Sequence, residues 1–366
     1  MKIMFVIGVL SNGGAERVIS VLAKEFVKMG YKIDIITIYG DKNDYINDDK
    51  INIIPLHNPT KNKILRVLGI IKQLRILIKK RHPDLLISFV AIINIYTIIS
   101  KAFMKTKLIV SERNDPYQNP ENKYMRMLRD VLYRFCDGFV FQTEDAMKYF
   151  PTRIQNRGII IPNPIKSDLP YWNRGSSEKT IITACRLVKQ KNLPMLINAF
   201  AKFKKDFPDY KLKIFGIGEM HEKLVNIISE LGLDNEVLLP GFSKEIHNEM
   251  AKSDLFVISS NYEGISNSML EALAIGVPVI STDSPIGGAR MFIRNGENGI
   301  LTEVGNTDEL YQAMKKIISD KHYASDLSEE ARKIRMQLSP EVIFEKWHKY
   351  IQKICEVNNA KSLRKN

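Results

Sequence analysis

Two acids stand with seven residues between them in the stretch EGISNSMLEALAIGVPVIST, residues 263–282. Between Glu263 and Glu271 lie Gly264, Ile265, Ser266, Asn267 and Ser268, a small polar loop running into a helical pattern. A carboxylate accepts two hydrogen bonds and so suits the paired hydroxyls of a sugar or ribose. A helix tip supplies backbone N–H groups and the positive end of a dipole, which suits a phosphate. Together they read as a sugar-nucleotide site. Two plainer readings stand beside it: Ser268-x-x-Glu271 is also a capping box, and Glu263 could be a solvated loop charge.

The elements that must position these groups are legible. The apolar run 254–259 reads as a buried strand, 268–275 as a helix stopped by Gly276 and Pro278, and 277–281 as the next strand. Strand, loop, helix, strand is the unit of a parallel α/β sheet, and such sheets bind ligands at the carboxyl ends of their strands. Other chemistry-bearing residues fall at comparable places. Arg186 and Lys191 follow the strand-like TIITAC, where one can fork onto phosphate oxygens and the other supply a point charge. Gly216-x-Gly218 ends another strand, and Phe242 follows EVLLPG, either stacking on a base or sitting in the core. Gly13 and Gly14 follow the first strand, where a chain can approach a ligand closely. Arg113 opens RNDP after KLIVSE, placed to hold a phosphate or anionic group, or merely to pair with Glu112 or Asp115.

The stretch from Glu263 resembles the donor-site signature of the family-4 retaining glycosyltransferases: E-G-[IFL]-[PS], then L-E-A-[LM]-A, then G-x-P-V-[IV]. SNGGAER resembles the family's first glycine loop, CDGFVFQT a late landmark of its N-terminal domain, and RLVKQKN its G-R-L-x-x-x-K phrase. The resemblance implies a GT-B fold: two Rossmann-like, doubly wound parallel-sheet domains facing across a cleft. Residues 1–166 are expected to form the acceptor side, with a helix at about 342–357 packing back on it, and residues 167–341 the donor side. It further implies retention of anomeric configuration, with Glu263, Arg186, Lys191 and Arg113 in the catalytic set. Gly13, Gly14, Gly216, Phe242 and residues 264–268 with Glu271 would then hold the donor. The sequence departs from the family at Arg113, where histidine is common, at Cys185 in place of glycine, and near Met291, where an acid is missing.

At 366 residues the chain can bury two cores. Its three cysteines, Cys136, Cys185 and Cys355, form neither a disulfide framework nor a metal pattern, pointing to a reducing compartment. The six histidines share no ligand spacing and no Asp-x-Asp occurs, so the expectation is neither metal nor other cofactor. Residues 85–100 are uncharged but short of the roughly 20 needed to cross a bilayer, and read as a strand followed by a buried helix.

The net charge of +13 is lopsided: residues 1–166 hold 27 Lys and Arg against 15 Asp and Glu. Eight of those cations and no acid fall in 61–81, where Ile64, Leu68, Ile71, Leu74 and Ile78 recur at helical spacing. That pattern fits either a helix on an anionic membrane or a packing helix with a solvated basic face. The implied partners are a nucleotide sugar, an anionic polyprenyl-pyrophosphate-linked glycan and the inner face of the plasma membrane, reached from the cytoplasm. A non-catalytic scaffold subunit of a polysaccharide assembly complex is the alternative. Nucleic-acid binding rests on charge alone and lacks a motif. Residues 166–178 read as a polar domain linker, and the basic tail 360–366 as disordered.

Overall fold

The computed structural model describes residues 1–11, 13–40, 43, 46–57, 60–173, 175 and 178–356. The tail expected to be disordered lies outside them. The described residues form two compact units: one is Met1–Pro164 with the helix Pro340–Glu356, the other Ile165–Ser339.

The first unit runs β1 (Lys2–Ile7), α1 (Gly14–Lys28), β2 (Lys32–Thr37), β3 (Ile51–Pro55), α2 (Lys63–Arg81), β4 (Leu85–Phe89), α3 (Ala91–Lys101), β5 (Lys107–Ser111), α4 (Lys123–Leu132), β6 (Gly138–Phe141), α5 (Glu144–Lys148), α6 (Thr152–Gln155) and β7 (Gly158–Ile160). Its strands lie in the order β3-β2-β1-β4-β5-β6-β7, all parallel. Five of six residues of β1 and all of β4 are buried. Continuous apolar runs of this kind belong to strands covered on both faces. Chain order reverses between β1 and β4, which opens a crevice at their carboxyl ends.

The second unit runs β8 (Thr180–Ala184), α7 (Leu193–Asp206), β9 (Lys211–Phe215), α8 (His221–Glu230), β10 (Val237–Gly241), α9 (Ile246–Lys252), β11 (Leu255–Ile258), α10 (Asn267–Ile275), β12 (Val279–Thr282), β13 (Ile300–Thr302), α11 (Thr307–Ser319), α12 (Lys321–Arg332) and α13 (Ile334–Gln337). Its parallel order β10-β9-β8-β11-β12-β13 reverses between β8 and β11. The last helix, α14 (Pro340–Glu356), belongs to the first unit. There Trp347 is fully buried against Phe89, with ring centroids 5.7 Å apart, and the Tyr350 hydroxyl accepts from the Phe139 amide at 2.8 Å.

Two expectations change on the structure, and one helix adds an unforeseen feature. The stretch read as a linker is held within the second unit: Trp172 donates through Nε1 to the Ser253 carbonyl at 2.7 Å, and Leu169 is buried. Two aromatic and aliphatic side chains in an otherwise polar segment outweighed its turn residues. The even apolar face expected on α2 is split: Ile70, Leu74 and Ile78 are buried, whereas Ile64, Leu65 and Leu68 are exposed. The basic helix α4 hides one of its arginines completely: Arg129 donates to the carbonyls of Asn119 at 2.7 Å and Pro116 at 3.1 Å. Among the described residues, no helix is long and apolar enough to cross a membrane.

Candidate functional site

At the β8/β11 reversal, two loops meet. After β8 the chain makes a turn of 3-10 helix at Lys189–Lys191, and Asn192 takes a left-handed backbone with φ 45° before α7. After β11 comes the loop 259–266. The two are stitched together: Asn261 donates its amide to the Gln190 carbonyl at 2.9 Å, Gln190 returns a bond to the Tyr262 carbonyl at 2.8 Å, and Ser259 Oγ donates to the Lys191 carbonyl at 2.8 Å. The result sets Lys191 Nζ directly on the Glu263 carboxylate, both side chains largely buried. Ser260 Oγ adds a bond to the same carboxylate oxygen at 3.2 Å. Glu263 is therefore not the solvated loop charge of the plainer reading. Arg186, on the same loop, is exposed and makes no ion pair among the described residues.

The helix tip settles the second acid. Ser266 is the N-cap of α10, accepting from the Met269 amide, and Ser268 Oγ lies 3.1 Å from Ser266 Oγ. Ser268 is thus inside the helix and Glu271 lies past the capping position, so the capping-box reading fails. Glu271 is 5% exposed and its Oε2 lies 3.1 Å from His247 Nε2 on α9. That contact is close in distance but falls outside hydrogen-bond geometry at the imidazole nitrogen. A small cavity lined by Cys185, Lys191, Ser259, Ser260, Ser266 and Ser268 sits beneath the helix tip. Gly264 and Ile265 are buried behind it, and Asn267 opens the helix.

Two further donor-side residues take different roles. Gly216 has φ 135°, and a Cβ there would lie 1.8 Å from the Cys185 carbonyl oxygen. Its lack of a side chain serves the packing of β9's end against the loop that follows β8. Phe242, following β10, is 56% exposed, so the core alternative falls and a free ring face remains beside the strand ends.

In the first unit, Gly13 caps α1 and Gly14 begins it. The Glu16 carboxylate folds back over the loop, with one oxygen 2.0 Å from where a Gly13 Cβ would stand. Burial pushes the Glu16 carboxyl above its ordinary range, its own backbone hydrogen bond and then Arg113 opposing. Arg113 pairs with neither neighbouring acid. Glu112 bonds Tyr133, and Asp115 accepts the Tyr117 amide at 2.8 Å. The guanidinium instead lies 5.1 Å from the Phe89 ring centroid and 5.7 Å from that of Trp347, donating through Nη1 to Asn163 Oδ1 at 2.9 Å. Its Nε and Nη2 have no hydrogen-bond partner among the described residues. Burial lowers its pKa to about 9, against the pull of Glu16, so it stays cationic at neutral pH.

Two supports went unseen in the sequence. His247 shares no motif, and its approach to Glu271 depends on α9 packing on α10. Gly288 is needed because a Cβ would lie 1.6 Å from the Gly264 carbonyl oxygen. Its glycine pair was the available signal.

Two largely buried carboxylates, a lysine and a helix tip at a sheet reversal are groups that suit a nucleotide-sugar transferase of the GT-B class. Residues 12–169 match the family described as Glycosyltransferase Family 4, and residues 168–334 match Glycosyl transferases group 1. A Campylobacter jejuni N-acetylgalactosamine-N,N'-diacetylbacillosaminyl-diphospho-undecaprenol 4-alpha-N-acetylgalactosaminyltransferase is 30% identical over 85% of this chain and 88% of its own. Another enzyme of that organism, an alpha-1,4-N-acetyl-D-galactosaminyltransferase named for a diphospho-undecaprenol-linked GalNAc substrate, is 29% identical over 98% of this chain and all of its own length. Among solved structures, Anabaena HepE in complex with UDP and glucose superposes with TM-score 0.83 at 19% identity, covering 96% of this chain and 99% of that one. The chain belongs to glycosyltransferase family 4 and has its GT-B fold.

Proposed function

We propose that this glycosyltransferase moves a sugar from a UDP-sugar to a polyprenyl-pyrophosphate-linked glycan in surface polysaccharide or glycoconjugate synthesis. The observation that carries the donor half is the Lys191–Glu263 pair beside the tip of α10, with Glu271 one turn further in. Glu263 holds sugar hydroxyls and Glu271 ribose hydroxyls. Arg186, Lys191 and the helix tip meet the charge that grows on the departing diphosphate, the kind of preorganised stabilisation that acts mainly in the transition state. Cations and a helix dipole take the place of a metal in this reading. Gly264, Ile265, Ser266, Asn267 and Ser268 shape the phosphate seat, and Phe242 stacks on the base.

No protein carboxylate is assigned as nucleophile. A front-face route, with the leaving phosphate accepting the acceptor's proton, gives retention without one. Arg113 serves the acceptor side as a fixed cation and not as a base, since arginine does not give up its proton at working pH. The acceptor class is inferred from the two Campylobacter relatives, whose names carry diphospho-undecaprenol, and from the cationic excess of the first half of the chain. The enzyme then works from the cytoplasm at the inner membrane face. The test is a thermal-shift panel of nucleotide sugars followed by transfer to undecaprenyl-pyrophosphate-linked acceptors. Stabilisation by UDP-sugars with product formation supports the reading. No response to any nucleotide sugar overturns it.

A further inference from the structure

A cavity of about 470 Å³ opens at the carboxyl ends of β2 and β3 in the first unit. Volumes of this order hold small ligands. Ile38 follows β2, Leu56 follows β3, and with Ile70 of α2 they make a buried apolar floor. Tyr39, His57 and Arg66 stand exposed at the rim.

The backbone fixes the Tyr39 ring. Its amide donates to the Gly8 carbonyl at 2.8 Å, and a Cβ at Gly8 would lie 3.3 Å from Tyr39 Cδ2, so the ring rests close over the chain leaving β1. Thr37 Oγ1 donates to the Gly40 carbonyl at 2.6 Å, and Gly40 takes φ 124°, turning the chain away after the ring. On the opposite wall, the Leu56 amide donates to the Thr37 carbonyl at 2.7 Å and Gln73 of α2 to the His57 carbonyl at 3.1 Å. Although held in this way, Tyr39 is 55% exposed.

The lining selects the occupant. A diphosphate wants several cations, and Arg66 is the only Lys or Arg among the described residues that line the cavity. A prenyl chain would suit the floor but would strip water from the guanidinium, imidazole and phenol without replacing their hydrogen bonds. A pyranose ring suits both parts. Its C–H face lies on an aromatic ring and an aliphatic floor, and its hydroxyl edge bonds guanidinium and imidazole.

The place in the sheet says which ring. Chain order reverses between β1 and β4, and β2 and β3 lie on the other side of β1. Strands about 4.8 Å apart put the cavity roughly 5–10 Å beyond β1. Leu10 and Asn43 form a bridge there, joining the chain after β2 to the loop that leads to Gly13 and Gly14. A sugar in the cavity is thus about one ring removed from the crevice at the reversal.

We propose that the cavity rimmed by Tyr39, His57 and Arg66 is a saccharide subsite, holding the acceptor sugar next to the one that receives the transferred residue. The acceptor glycan is then at least a disaccharide. This rests on the reading that the acceptor is a glycan.

Two measurements on the full chain test it. The first is saturation-transfer NMR with free hexoses, N-acetylhexosamines and their α-linked disaccharides. Ring-proton signals are expected with the parent, lost in Tyr39→Ala, returned in Tyr39→Phe and unaffected by added UDP. The second compares transfer to undecaprenyl-pyrophosphate acceptors bearing one sugar and bearing two. The parent's lower KM for the two-sugar acceptor is expected to lose about tenfold of its advantage in Tyr39→Ala, with kcat little changed. The melting temperature and the UDP-sugar response should stay as in the parent, since this ring faces solvent.

Equal use of the two acceptors by the parent overturns the proposal, as does an advantage that Tyr39→Ala keeps. So does a KM change that follows prenyl length instead of sugar number, which would give the cavity to the lipid. Saccharide signals that UDP removes would place the binding at the donor site and have the same consequence. Transfer without any dependence on Tyr39 sinks only the subsite. Tyr39-dependent saccharide binding without transfer leaves the subsite standing and sinks the lipid-linked acceptor assignment.

Discussion

Each unit carries a cation near a sheet reversal, but the two are held in opposite ways. Lys191 in the second unit sits on a carboxylate, on a loop bonded to its neighbour through Ser259, Gln190 and Asn261. Arg113 in the first unit lies against two aromatic rings with most of its donors unanswered. The first arrangement is complete as it stands, and a phosphate must compete with Glu263 for the lysine. The second has a desolvated charge with donors in reserve. Buried guanidinium groups without partners are costly, which makes an incoming anion a strong stabiliser there. The difference teaches that the second unit's cation is already answered by a carboxylate, whereas the first unit's keeps unanswered donors among the described residues.

The largest expected effect comes from breaking the preformed half. Lys191→Met removes a cation from the departing diphosphate and leaves Glu263 without its main partner. Turnover should fall by roughly 10²- to 10³-fold, the usual cost of losing one transition-state donor. Steady-state kinetics with the best donor of the panel checks this. A loss below about tenfold would mean that the pair is only a structural clasp.

Next is Glu271→Gln. A charged hydrogen bond to a hydroxyl contributes roughly 1.5–3 kcal/mol, so the donor KM should rise by about 10- to 100-fold with a smaller change in kcat. A donor lacking the ribose hydroxyls should discriminate poorly between parent and variant. If it does discriminate, Glu271 acts elsewhere. His247→Leu should give the same pattern at a few-fold strength, because it removes the imidazole 3.1 Å from the carboxylate and not the carboxylate itself.

Arg113→Met sharpens the comparison from the other side. Acceptor KM should rise, by about tenfold, while stabilisation by UDP stays as in the parent. Arg113→Lys should recover little, since an ammonium cannot reproduce the planar stacking on Phe89 and Trp347. A variant that loses UDP binding would place this arginine with the donor.

The donor half was the more legible in the sequence because its chemistry is local. Glu263, the helix tip and Glu271 lie within one strand–loop–helix unit, and Arg186 and Lys191 within one short loop, so local spacing brings these groups to the ends of the neighbouring strands β11 and β8. The parallel sheets also follow from local patterns: apolar runs such as 2–7 and 85–89 alternate with helical periods. What spacing could not show depends on tertiary neighbours. The partner of Glu271 comes from α9, twenty-four positions earlier in the chain. Gly216 reads from sequence as a nucleotide-side turn, and only the fold shows that a Cβ there would meet the Cys185 carbonyl of the neighbouring loop. The burial of Arg129 has no local sign either: its carbonyl partners, Asn119 and Pro116, lie in the loop before α4.

The smallest expected effect lies beneath the Arg113 loop. Glu112 is buried, and burial pushes its carboxyl above the ordinary 4.5, with Arg129, Tyr133 and Asn94 opposing in that order. A carboxyl whose folded pKa lies above its unfolded one keeps its proton longer in the native state. Between about pH 4.5 and that raised value the folded chain therefore binds more protons than the unfolded chain, and stability falls as pH rises. The slope from this group is at most about one proton. Glu112→Gln retains an acceptor for the Tyr133 hydroxyl but cannot titrate, so its urea midpoint should change less with pH across that window. The acceptor KM should be untouched by the substitution if the glutamate serves only the frame. A Glu112→Gln variant whose stability varies with pH as steeply as the parent's would show that Glu16 or Asp115, both also raised by burial, governs the acid limb instead.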